Sequence, residues 1–130
     1  MRTLPTALFA ASLVLSSCSG TNEVDLGGAK YQAEMQLLEA RIVHLIGDAR
    51  CTDSTQCRAI AFGTKPCGGP WRYLVYSVAS VDTLRLERLV RQYNEVNAAW
   101  NRSTGVASTC DFLGRPRVTS VDGRCVAVRD

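Results

Sequence analysis

Histidine occurs once in the 130 residues, at His44, and lysine twice, at Lys30 and Lys65, against 13 arginines. The arginines never gather into a run and the formal net charge is only +3. A nucleic-acid binder recognisable by its charge is thereby excluded, and no nucleic-acid partner is expected. There is no CxxC pair and no second histidine, so neither a zinc-ligand spacing nor a redox dithiol motif is present. No metal and no cofactor are expected. The motifs GxSxG and HExxH and a phosphate-cradling glycine loop are missing. No two carboxylates are spaced as a glycosidase pair, and Asp111 reads as structural or exposed. His44 stands between Val43 and Leu45 and reads as a helix-face or core histidine rather than a general base. The expectation is therefore a protein without catalytic residues, not an enzyme. No apolar run reaches the roughly 20 residues of a bilayer-spanning helix, and no repeat or low-complexity stretch appears.

The chain does have 46% hydrophobic residues, 21% charged residues and six cysteines. That composition suits one globular domain and excludes a disordered chain, a collagen or a coiled-coil rod. Met1-Arg2-Thr3-Leu4-Pro5 forms a short basic start. Thr6 to Leu15 is almost wholly apolar, with the length of a signal-peptide core. It runs into Leu15-Ser16-Ser17-Cys18. In this order of basic start, apolar run, small residues and cysteine, the segment resembles the signal and lipobox of bacterial lipoproteins.

The resemblance implies cleavage before Cys18, diacylglycerol on its sulfur, and a fatty acyl chain such as palmitate on its new amino group. Several acyl chains give durable anchoring in a lipid bilayer, at about 0.8 kcal/mol per buried CH₂. Ser19, standing where an Asp would imply inner-membrane retention, implies the outer membrane, facing the periplasm. Ser19 to Gly28 is polar and without periodicity, as a flexible tether is. The expected organisation is a signal peptide over 1–17, lipidated Cys18 with its tether to residue 28, and a periplasmic globular domain over 29–130.

From Ala29 to Ile46, the apolar residues Tyr31, Met35, Leu38, Ile42 and Leu45 recur at helical spacing, and Gly47 supplies a stop. A second helix starts at Asp82 as N-cap, with Val81 and Leu86 as a hydrophobic staple. Leu86, Leu89, Tyr93, Val96 and Trp100 form its apolar stripe, and Gly105 closes it. Strand-like runs lie at Cys57 to Phe62 and Trp71 to Val78. Val118 to Val121, Asp122-Gly123 and Arg124 to Val128 read as a hairpin with a type I′ turn. These elements predict an α+β fold in the order α-β-β-α-β-β, two helices on one face of a small antiparallel sheet.

With Cys18 committed to lipid, an odd set of five cysteines is left: Cys51, Cys57, Cys67, Cys110 and Cys125. An exported chain forms disulfides, although spacing does not dictate which. The expected pairs are Cys51–Cys57, across a short loop, and Cys67–Cys110, tying the central loop to the segment after the second helix. Cys125 is expected to be a free thiol buried in the last strand.

One connection is unusual. Thr64-Lys65-Pro66-Cys67-Gly68-Gly69-Pro70-Trp71 joins the two central strands with two prolines, two adjacent glycines and a cysteine. A stiff, pre-organised loop loses little entropy on binding, and an aromatic anchor such as Trp71 suits a hot spot. Lys65, Pro66, Gly68, Gly69, Pro70 and Trp71 are the candidate binding residues, with Arg72, Arg115 and Arg117 as a basic rim. The same residues could equally be a turn, a staple and a strand start. Arg85, Arg88 and Arg91 read as the wet face of the second helix. The expected function is a protein-binding module with an envelope protein as partner, one form being an inhibitor or immunity factor of an envelope hydrolase or protease. A structural or accessory lipoprotein of an envelope assembly is the alternative, and an enzyme or thiol redox factor stands behind both.

Overall fold

A computed structural model describes residues 26–128 of the chain. The signal segment, Cys18 and the tether up to residue 25 lie outside the described residues. Helix α1 runs Leu26–Ile46, three residues earlier than the apolar spacing marks. Leu26, Gly27 and Gly28 are thus helical rather than tether, and both glycines sit in the first turn, where backbone N–H groups lack intrahelical partners anyway. Leu38 and Ile42 are buried while His44 is exposed, so the histidine is a solvent-facing helix residue. At the other end, Gly47 takes φ +54° and donates to the Val43 carbonyl at 2.9 Å. This is the left-handed stop that glycine adopts without Cβ strain.

Strands β1 (Cys57–Phe62) and β2 (Arg72–Ser77) pair antiparallel, with Cys57 opposite Ser77 and Phe62 opposite Arg72. Helix α2 spans Thr83–Thr104. The Asp82 carboxylate accepts from Arg85 N–H at 3.0 Å, and Val81 and Leu86 are both buried in the same apolar cluster. Cap and staple therefore form as their spacing implies. Gly105 closes α2 at φ +63°. The core joins Ile42 of α1, Phe62 and Tyr76 of the hairpin, and Val81, Leu86 and Val90 around α2. Phe62 stacks on Tyr93 with ring centroids 4.0 Å apart.

Strands β3 (Val118–Val121) and β4 (Arg124–Ala127) form the second hairpin, and Asp122 at φ +50° and Gly123 at φ +72° make the left-handed turn between them. The element order is the expected one, but the sheet is split into two separate two-stranded sheets. The reason lies in residues 49–51. Cys125 N–H donates to the Ala49 carbonyl and Cys51 N–H to the Gly123 carbonyl, both at 2.9 Å. The outer edge of β4 is thereby satisfied by this short segment instead of by β1 or β2. Ala49 takes φ +50°, a conformation that disfavours a residue with a Cβ by about 1–2 kcal/mol. It is held there by that backbone bond and by burial against Cys57 and Cys125. Among the described residues no helix is long and apolar enough to cross a membrane.

Candidate functional site

The loop from residue 63 to 71 is built from its ends inward. Gly63 takes φ +77°, and a Cβ placed on it would lie 2.6 Å from Trp71 Cδ1, so the indole lies directly on this glycine. Three asparagines of α2, at positions i, i+3 and i+7, grip the loop where it leaves β1. Asn94 Oδ1 accepts from Gly63 N–H and Asn97 Oδ1 from Thr64 N–H, both at 2.7 Å. Asn101 Nδ2 donates to the Thr64 carbonyl at 2.6 Å. Buried backbone groups that leave a strand need such partners, and Asn97 and Asn101, buried on the same helix as Leu86 and Val90, supply them together with Asn94. This corrects the expected stripe: Leu89, Tyr93, Val96 and Trp100 are only half-buried, because the face that meets the loop is polar.

Beyond Thr64 the chain reverses. Gly68 N–H donates to the Lys65 carbonyl and Lys65 N–H to the Gly69 carbonyl, both at 2.9 Å. Gly68 and Gly69 take φ +92° and +79°, which only glycine adopts freely. Lys65, expected among the binding residues of the loop, is turned inward. It is 9% exposed, its Nζ donates to the Asp111 carbonyl at 3.0 Å, and it lies 5.7 Å from the centroid of the Trp71 ring. It fastens the loop to the segment after α2. Pro66, Gly68 and Gly69 are exposed and Pro70 half-buried. Trp71, 39% exposed, divides its surface between Gly63, Lys65 and solvent. Arg72 is exposed but partnered, paired with Glu39 and over the Phe62 ring at 4.9 Å, so it is no free rim cation. Arg85, Arg88 and Arg91 are exposed on the outer face of α2, as expected of a wet face.

Cys67 and Cys110 are joined, with Cα atoms 5.5 Å apart. The bridge and the Lys65 contact hold an otherwise irregular strap, residues 106–117, against the loop. Between them is a cleft of about 360 Å³ lined by Gly69, Pro70, Tyr73, Asp111, Phe112 and Leu113. Phe112 stands 95% exposed at its edge. Neither it nor the asparagine row stood out in the sequence. The signals were an isolated Phe-Leu pair in an aperiodic stretch directly after a cysteine, and asparagines at helical spacing.

The second sulfur site departs from expectation. Cys57 pairs with Cys125, Cα atoms 5.3 Å apart, and Cys51 is the free cysteine among the described residues. Cys51–Cys57 does not form, and Cys125 is not a free thiol. Cys57 is the first residue of β1 and points beneath the second hairpin, where the β4 pairing with residues 49–51 delivers Cys125. Between Cys51 and Cys57 the chain makes a single 3₁₀ turn, Ser54–Gln56, capped by Asp53. The side-chain and backbone hydrogen bonds of Thr55 hold the Asp53 carboxyl below the usual carboxylate range. Burial pushes the Tyr93 and Tyr76 hydroxyls above the ordinary tyrosine value.

No protein-family model, no characterised protein and no solved structure matches this chain.

Proposed function

We propose that the chain is a protein-binding module, held at the cell envelope by a lipidated Cys18, that docks through the stapled pair of segments 64–71 and 106–113. Phe112 carries this reading. A phenylalanine left 95% exposed on a backbone fixed by a disulfide and a buried lysine is costly to keep in water and cheap to bury in a partner. Tyr73, Leu113 and Pro70 extend the apolar surface around it. The occupant that suits it is a folded envelope protein offering an apolar pocket for one aromatic ring. A hydrolase or protease whose substrate cleft accepts such a ring makes the module an inhibitor or immunity factor.

The test uses a photo-crosslinking amino acid at position 112 or at position 88, introduced into the anchored protein in cells. A discrete adduct from position 112, absent from position 88 and competed away by the unlabelled protein but not by its Phe112→Asp variant, is the expected result. Adducts from position 88 instead would support an accessory subunit docking through α2. The partner's activity, assayed with and without micromolar module, decides the inhibitor form. The anchor has its own test, in which incorporation of labelled palmitate is lost in Cys18→Ser.

A further inference from the structure

Three sulfur atoms, those of Cys51, Cys57 and Cys125, lie within 4.8 Å of one another. Two of them are bonded, and the third, Cys51 Sγ, is 3.7 Å from Cys57 Sγ, close to van der Waals contact. Cys51 is half-buried, so solvent base reaches its thiol, which donates to Ser120 Oγ at 3.2 Å. After loss of the proton the Ser120 hydroxyl can turn and donate to the sulfur instead. A thiolate beside a disulfide is the reactive pair of thiol–disulfide exchange.

We infer that Cys51, Cys57 and Cys125 form a thiol–disulfide exchange site, with Cys51 as nucleophile and Cys125 as leaving group. The Cys51 thiolate attacks Cys57 Sγ, the Cys51–Cys57 bond forms as the Cys57–Cys125 bond breaks, and the electron pair leaves on Cys125, which takes a proton from solvent. One disulfide and one thiol stand on each side, so no oxidant or reductant is consumed. Because Cys51 Sγ also lies near Cys125 Sγ, its approach is from the side of the S–S bond. Rotation of the Cys51 side chain to line up behind Cys57 precedes attack. The Cys51–Cys57 isomer closes a short ring around the 3₁₀ turn and releases the second hairpin from β1. That hairpin is then held by its backbone bonds to residues 49–51 and by Ser54, whose Oγ lies 3.0 Å from Thr119 Oγ1 and accepts from Ser120 N–H at 3.1 Å. Cys125, 6% exposed, becomes the thiol. Exchange thus converts a fastened hairpin into a docked one, independently of any partner at Phe112.

Tryptic peptides separate the two isomers. Cys51 and Cys57 fall in one peptide, 51–58, and Cys125 in another, 125–129. The observed pairing links the two peptides; the exchanged pairing leaves a ring within the first and a free thiol in the second. The folded full chain is held at about pH 8.5 or about pH 5.5 for up to a day, a span that covers uncatalysed rearrangement. It is then acid-quenched, alkylated with N-ethylmaleimide in denaturant, and mapped by mass spectrometry. The expected result is label moving from Cys51 to Cys125, faster at the higher pH because the thiolate is the attacking species. Cys51→Ser should show the linked peptides and no label at any time. Label on Cys125 below about 0.1 per cent at the higher pH overturns the proposal, since that is the lower bound of a populated minor state. As a second measurement, Cys125→Ser should carry the Cys51–Cys57 ring; two alkylatable thiols there, in a variant shown to be folded by circular dichroism, also overturn it.

Discussion

The helical body and the region after α2 are held by different forces. Around α1, the first hairpin and α2, side chains such as Ile42 and Leu86 are fully buried and meet in one apolar cluster. From Val106 to Val128 the single buried side chain is Cys125, and the chain is kept in place by two disulfides, a lysine and backbone bonds to residues 49–51. Apolar burial is cooperative and tolerant of small shifts, whereas point ties hold a few atoms and leave the surface between them free. The first region can therefore serve as scaffold, and the second can present exposed groups without losing its shape.

The largest effect should come from the scaffold. Leu86→Ala, at a fully buried position, is expected to cost about 3–5 kcal/mol by transfer and cavity terms together, read from the urea midpoint. It should loosen both regions, since the ties depend on the body. Removing the staple with Cys67→Ala/Cys110→Ala should cost about 2–4 kcal/mol, but with a different signature. Hydrogen exchange should accelerate across 106–113 while α1 and α2 stay protected; equal loss in both would erase the contrast.

Asn97→Ala leaves the Thr64 N–H without its acceptor and is expected to cost about 1–3 kcal/mol, with faster exchange at residues 63–65. A smaller effect concerns alkaline pH. Tyr93 and Tyr76 have hydroxyl pKa values raised mainly by burial. The unfolded chain therefore releases these protons first, and the stabilisation, complete below about pH 10, is lost as pH rises through the folded values. Tyr93→Phe should flatten that decline in a urea titration series. Smallest of all, Phe112→Ser should move stability by no more than about 0.5 kcal/mol, while the unlabelled variant should fail to compete away the position-112 adduct. A large loss of stability would mean that this ring belongs to the body after all.

Local features were legible in the sequence wherever a residue acts on its own neighbours. Asp82 caps α2, Gly47 and Gly105 end the helices, Asp122-Gly123 turns the second hairpin, and Cys57 to Phe62 is a strand end to end. Of the candidate site, the loop was readable, because two prolines, two glycines and a cysteine mark a constrained backbone; the Cys67–Cys110 pair formed as expected, although spacing did not dictate it. The role of Lys65 was not, since its partner, the Asp111 carbonyl, is 46 positions away. Nor was the polar face of α2: helical periodicity locates a stripe, but asparagines join it only when a strand end needs hydrogen-bond partners.

By itself, then, the sequence determined the helices, the strands, and their caps and turns, all through contacts within a turn. The tertiary structure alone decided that the sheet splits, that Phe112 stands in solvent, and that Cys57 joins Cys125 in preference to its neighbour Cys51. A disulfide needs Cα atoms about 5–6 Å apart and correctly aimed Cβ vectors. Sequence distance does not supply these: here a pairing across 68 positions meets the condition because β4 docks on residues 49–51 beside the start of β1.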